Sequence, residues 1–300
     1  MSSFARKNPP VTPSIVTDEL SADPETAFEL GLEWGVAHYE LRGVYETRVP
    51  GLSAYARHRL LKAIRDFDVT ITALSPGLFK GAFPDTAPDH SNLFWMGAGQ
   101  FRKWQDGKRE IEHHLHALLP QAIELAVEAG ARFIIDFSFH RSGLPGGKAP
   151  AAVVETLSEA AEMIQKAGLE FLIETEEGHW ADTGMRSAAL VERIGNPSLG
   201  LNWDPANALI EGDIPYPDGY EAVKRFVRNV HLKDARRYLD GTWEILPEGD
   251  VDWQGQVKAL LKDGYSGAIA VEPHLFPSVA QTRAALDRLR TLVGAARGER

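Results

Sequence analysis

Apolar and polar positions along the chain switch between two periods. Runs of six to eight residues, rich in apolar and β-branched side chains, alternate with longer segments whose apolar residues recur at i, i+3/i+4 and i+7. Eight such runs stand out: "SIVTDE" (14–19), "AHYELR" (37–42), "VTITALS" (69–75), "RFIIDFSF" (132–139), "EFLIETE" (170–176), "LGLNWD" (199–204), "VRNVHLKD" (227–234) and "GAIAVEP" (267–273). Between them, Leu60, Leu61, Ile64 and Phe67, and further on Val153, Leu157, Ala160, Ala161 and Ile164, trace apolar helical stripes. Asp23 followed by Pro24 has the form of an N-cap and a first helical residue, whereas "EAG" (128–130) and "KAG" (166–168) end helices on glycine.

Eight strand–helix repeats predict an α/β chain folded as a single (β/α)8 TIM barrel over residues 1–300, because parallel strands need helical crossovers and eight of them close a ring. An open doubly wound sheet is the alternative, but no G-x-G-x-x-G follows the first run. Residues 1–12 read as an extended N-terminal tail. Residues 76–108 read as a long loop after strand three, with Phe79, Phe83, Phe94, Trp95, Phe101 and Trp104 in it. A loop that long is usually functional, and its rings could cover a sugar, dock a partner subunit or form a small core of their own.

Composition narrows the function. The chain has 42 acidic and 32 basic residues, a net charge of −10, which offers no attraction for nucleic acid or anionic lipid. The absence of cysteine excludes disulfides, thiolate metal sites and a Cys nucleophile. No apolar leader opens "MSSFARKNPP", and no apolar run approaches the ~20 residues of a membrane span. The expectation is a cytoplasmic enzyme or binding protein for a small molecule, with homo-oligomerisation left open.

In a barrel the C-terminal ends of the strands face the active-site mouth. Strands five to eight end on Glu174, Asp204, His231 and Glu272. Each has an ordinary reading alone: an Asp before Pro forms a turn, a strand-end Glu caps or pairs, and a His can be hydrogen-bonded in a core. Together, three carboxylates and an imidazole converge as an all-N/O shell for one divalent cation, whose charge offsets their mutual repulsion. Such a site suits proton transfer beside a carbonyl, with a cation gripping two neighbouring sugar oxygens and stabilising a cis-enediolate.

The stretches "TDELSADPETAFELGLEWGVAHYELRG", "IETEEG", "LNWDPANAL", "NVHLKDA", "PEGDVDW" and "VEPH", in that order, resemble the xylose-isomerase-like barrel superfamily and in particular its sugar phosphate isomerase/epimerase branch. The resemblance implies a Glu–Asp–His–Glu metal site on Glu174, Asp204, His231 and Glu272, holding Mn²⁺ first, then Mg²⁺, Co²⁺ or Zn²⁺. It also implies that Glu174 and Glu272 exchange the substrate proton. Arg237, six residues past His231, matches a substrate-binding arginine of ketose 3-epimerases, and Lys233, Glu40 and Trp203 are further contact candidates.

Two positions depart from the epimerase pattern. Asn207 stands where a His is usual, and Trp180 where a second Glu is usual. His140 and His179 offer a non-carboxylate base instead, which would suit elimination as in inosose dehydratases or C-glycoside deglycosidases. Abasic-site endonucleases of the same superfamily need extra histidines, and Asn207 fills one of those places. An inert carbohydrate-binding barrel is the remaining alternative. Isomerisation or epimerisation of a keto or aldo sugar is the leading expectation.

Overall fold

A computed structural model describes residues 11–84 and 98–298. Eight parallel strands form a closed barrel: β1 (Thr12–Val16), β2 (His38–Leu41), β3 (Thr70–Leu74), β4 (Phe133–Asp136), β5 (Glu170–Glu174), β6 (Leu199–Trp203), β7 (Val227–Leu232) and β8 (Ala268–Val271). Each pairs with its neighbour in sequence, and β8 closes the ring on β1. The eight predicted runs are these strands, most of them shorter by a residue or more at one or both ends. The shortfall is greatest at β4, which stops at Asp136 rather than at Phe139.

Outward residues pack against the helices, while inward residues fill the ring. Ala73, Phe133, Ile135 and Leu172 form a small apolar cluster of their own inside the barrel. Their alternation sets the faces of each strand. Leu172 points inward, so Glu174 does too. The pairing of Leu172 with Gly200 and of Asn202 with Asn229 carries that parity to Asp204 and His231. On β4, Phe133 and Ile135 point inward, so Asp136 faces out.

The helix signals act as read. The Asp23 carboxylate accepts the Thr26 amide at 3.0 Å ahead of helix Pro24–Glu33, and Gly130 ends helix Leu119–Ala129 at φ 69°. Val153, Leu157, Ala160, Ala161 and Ile164 are the buried stripe of helix Ala151–Lys166.

The segment after β3 differs from expectation. Helix Ala98–His113 occupies what was read as loop, continuing through a π-helical turn (His114–Leu118) into helix Leu119–Ala129. The His114 ring accepts the Phe79 amide at 3.1 Å. Phe79 and Phe83 stack on Phe139 with centroids 5.2 and 4.9 Å apart, so these rings form a local core rather than a cover for the mouth. The Lys108 ammonium lies over the Trp104 ring, 5.6 Å from its centroid. Phe94 and Trp95 lie outside the described residues, as do residues 1–10 and the side chain of Phe101. Among the described residues no helix is long and apolar enough to cross a membrane.

Two hairpins rise at the mouth. In one, Gly43–Val44 pairs with Thr47–Arg48 through Tyr45 and Glu46, both at positive φ as a type I′ turn requires. In the other, Ala235–Arg237 pairs with Trp243–Ile245, and Asp252 then caps helix Trp253–Lys262.

Candidate metal centre

Four side chains meet at the C-terminal mouth. One donor atom each from Glu174, Asp204, His231 and Glu272 lies within 4.8 Å of the others, and all four residues are buried. That spacing is close to the ~4–5 Å that two ligands on opposite sides of one divalent ion span. They line or underlie a cavity of about 440 Å³, a size suited to a monosaccharide.

Asp204 stands one residue past β6, where it caps helix Pro205–Glu211. Its Oδ1 accepts the Asn207 amide at 3.0 Å, and Pro205 takes the first helical position, where no backbone donor is needed. Its Oδ2 is buried without a hydrogen bond and lies 2.9 Å from Lys233 Nζ. One oxygen thus shapes the backbone while the other faces the site, held only by the Lys233 ammonium.

His231 is 1 % exposed and carboxylates face both of its ring nitrogens. Nε2 lies 2.9 Å from Glu40 Oε2, and Nδ1 lies 3.2 Å from both Glu174 Oε1 and Glu272 Oε2. If Nε2–H donates to Glu40, the tautomer and ring plane are fixed with Nδ1 turned to the other two acids, the arrangement by which an outer carboxylate orients a ligand histidine. Glu40 is itself held by the Ser75 hydroxyl and by Asn229 Nδ2, which also donates to Asn202 at 2.9 Å.

The charges are balanced locally. Burial works against the His231 imidazolium, but Glu40, Glu272 and Glu174 outweigh it and hold its pKa well above the usual value. Burial raises Glu174 and Asp204, whereas Lys233, His231 and His274 overcome burial at Glu272 and hold it well below the carboxylate range. An N/O donor set whose inward carboxylate oxygens are balanced only by His231, Lys233 and their neighbouring cations fits a divalent cation, which would take over that compensation.

Of the other predicted residues, Glu40, Lys233 and Asn207 line the cavity. Lys233 Nζ reaches Asp204 at 2.9 Å and Glu272 at 3.3 Å; the Asn207 amide donates to Thr175 O at 3.0 Å and to Glu176 Oε2 at 2.8 Å. The remaining four are placed elsewhere. Trp203 precedes Asp204, so alternation turns it outward into the core, where its indole donates to Gln256 at 3.0 Å. Arg237, paired with Trp243 on the same face of the hairpin, is not among the cavity-lining residues and donates instead to Ile210 O at 3.0 Å, beside the rim. His179 is buried, its ring nitrogens 2.8 Å from Glu177 O and 3.1 Å from Lys80 O. His140 is exposed, accepts the Ser142 amide at 3.0 Å and lines a separate hollow with Phe83, Leu144 and Trp180. The early end of β4 causes this last displacement, since Phe139 takes φ 62° and the chain leaves the ring before His140.

Among the site residues left unassigned in the sequence, three stand out. Arg42 joins Asp18 at 2.9 Å, Glu19 at 2.6 Å and Glu272 at 2.5 Å, tying β1 and β2 to the end of β8. His274, two residues past Glu272, lines the cavity with Nδ1 2.7 Å from Glu19 Oε1 and Nε2 3.5 Å from Glu272 Oε1. Trp243 is brought to the rim by the second hairpin. Arg42 and His274 stood in the quoted stretches "AHYELR" and "VEPH", and strand parity alone would have turned Arg42 inward with Glu40.

Comparison with known proteins agrees with this fold. The chain is 30 % identical over 146 residues to inosose dehydratase of Bacillus licheniformis (42 % of this chain, 47 % of that protein). It is 26 % identical over 208 residues to the rhizopine catabolism protein MocC of Rhizobium meliloti, covering 59 % and 63 % of the two chains. It therefore spans about half to under two thirds of the length of these curated relatives. Among solved structures, an L-ribulose 3-epimerase superposes with TM-score 0.67 at 17 % identity over 96 % of each chain. A xylose isomerase-like barrel protein of Mycobacterium smegmatis in complex with magnesium superposes with TM-score 0.65 at 16 % identity over 99 % of each. At such identities the structures share the fold, and names among the neighbours include both epimerases and dehydratases. With residues 28–292 matching the family as a whole, the chain belongs to the xylose isomerase-like TIM barrel family.

Proposed function

We propose that this protein is a divalent-cation-dependent sugar isomerase or epimerase that moves a proton beside a carbonyl. The observation that carries the reading is the placement of Glu174 and Glu272 on strands three apart in the ring, each with an oxygen 3.2 Å from His231 Nδ1. Carboxylates so placed approach a substrate in the cavity from two sides, one to remove a proton and one to return it. A cation on the four donors, Mn²⁺ in our reading, would draw charge from the carbonyl and acidify the neighbouring C–H. Glu40 holds the His231 ring, Lys233 lies against Asp204 and Glu272 and is available to polarise a substrate oxygen, and Asn207 fixes the loop carrying Glu176.

The test is Glu272→Gln. An amide still presents an oxygen but cannot accept a proton. With metal content retained, the variant is expected to lose exchange of the substrate's carbon-bound hydrogen with D₂O by roughly 10²- to 10⁴-fold. Exchange at the wild-type rate would remove Glu272 from the proton-transfer pair and defeat the proposal.

A second reading, elimination of water from a keto-sugar or keto-inositol, is favoured by one observation. His274, held at 2.7 Å by Glu19, puts an imidazole at the cavity, a place expected for His140. The partial similarity to an inosose dehydratase points the same way. Product analysis separates the two: elimination yields a conjugated enone absorbing in the near ultraviolet, and epimerisation does not.

A further inference from the structure

The cations lining the cavity fall into two kinds. Lys233 is shared by Asp204 and Glu272, Arg42 by three carboxylates, His274 by Glu19 and Glu272, and Lys80 lies 2.6 Å from Glu176. Arg48 has no such close partner. Among the described residues it is the cavity-lining cation with no carboxylate within 4 Å, Asp136 acting on it only from farther off, and its side-chain hydrogen bond runs from Nε to Ser75 O at 3.1 Å.

Its side chain is nonetheless held. The tight hairpin delivers it to the wall between β2 and β3, and Ser75 immediately follows β3. The guanidinium then lies against Gly77. A Cβ there would fall 2.5 Å from Nε and 2.7 Å from Cζ, and Gly77 has φ +78°, so both the approach and the turn depend on glycine. With Nε occupied by a carbonyl, the two terminal NH₂ groups remain as a planar fork at the cavity, the geometry that grips a carboxylate or phosphate with two parallel hydrogen bonds. A neutral polyol can accept from such a fork, but only an anionic group also meets its charge.

We propose that Arg48 binds an anionic substituent, carboxylate or phosphate, on the sugar whose reacting carbons sit over Glu174 and Glu272. The proposal rests on the reading of the cavity as the substrate site, and it selects acidic or phosphorylated sugars over neutral ones.

Binding rather than turnover tests it. Isothermal titration of the full chain, with and without Mn²⁺, would compare D-fructose, 5-keto-D-gluconate and D-fructose 6-phosphate on the wild type, Arg48→Gln and Arg48→Lys. The wild type is expected to prefer at least one charged probe over fructose by about tenfold or more, the scale of one charge-assisted hydrogen bond at a partly exposed site. Arg48→Gln should erase that preference, lowering the affinity for the charged probe more than that for fructose, and Arg48→Lys should keep part of it. Preference confined to the keto acid identifies a carboxylate, and preference confined to the phosphate ester identifies a phosphate. Equal affinity for all three probes, no measurable binding of either charged probe, or a preference that survives Arg48→Gln overturns the proposal. Absence of deuterium exchange with a charged probe that does bind would count against the proton-transfer reading alone.

Discussion

The two halves of the barrel mouth do different work with similar residue types. Strands β5 to β8 supply the four converging donors, whereas β1 to β4 supply supports: Glu40 steadies His231, Ser75 steadies Glu40, and Asp18 and Glu19 engage Arg42. The contrast is sharpest between β5 and β4, which pair side by side. Glu174 ends β5 facing inward, while Asp136 ends β4 facing outward, where its Oδ1 accepts the Leu78 amide at 2.6 Å. At the level of Glu174, β4 offers Phe137 instead. One residue of register separates a donor at the mouth from a loop anchor.

Four substitutions probe that division. His231→Ala removes a ligand and should reduce both bound cation and turnover by more than about 100-fold, above the range for supporting residues. Metal analysis after gel filtration checks it, and retained metal would move the centre elsewhere. Glu40→Gln loosens only the support, so a weakening of metal affinity by about 10- to 100-fold is expected; titration with Mn²⁺ decides, and an effect as large as that of His231→Ala would erase the distinction between the halves.

Asp136→Asn concerns stability. Burial, only partly offset by the Leu78 amide and Arg48, holds the Asp136 carboxyl well above its usual range, so the folded protein keeps a proton that the unfolded chain has released. Stability from this group is therefore present at low pH and falls as pH rises through the folded pKa. The Asn variant should melt a few degrees higher than wild type at pH 8, about the response to 1 kcal/mol, and the gap should close toward pH 4. A constant gap across that range would show that Asp136 is ionised throughout. His140→Ala is the smallest: with its ring outside the cavity, kcat and KM should change by no more than about twofold, and a kcat loss near the 10²-fold of a missing base would return His140 to the chemistry.

Strand order and the four donors were legible because both depend on short-range pattern: apolar runs mark strands, and Glu174, Asp204, His231 and Glu272 each sit within three residues of a run's end. What was lost depended on where a strand stops. β4 reads as apolar through Phe139, yet the chain leaves the ring after Asp136, which carries His140 out of reach. Trp203 was misplaced by a single step of alternation. Arg237 matches by its spacing to His231, but its guanidinium is engaged by the Ile210 carbonyl while its hairpin partner Trp243 reaches the rim. Arg42 and His274 have roles set by partners far along the chain, Glu272 and Glu19, and a contact across more than 200 residues leaves no periodic trace.

The Arg42 bridge sits at the seam where the first and last strands meet, and that location orders events during synthesis. Asp18, Glu19 and Arg42 leave the ribosome early, while Glu272 follows Arg42 by 230 residues. Without β8 between β7 and β1, Arg42 lacks its Glu272 partner and the cluster lacks its fourth donor. Capture of a cation by the full set of donors would then require closure of the ring, so that a loaded chain would also be one whose last strand has found its place.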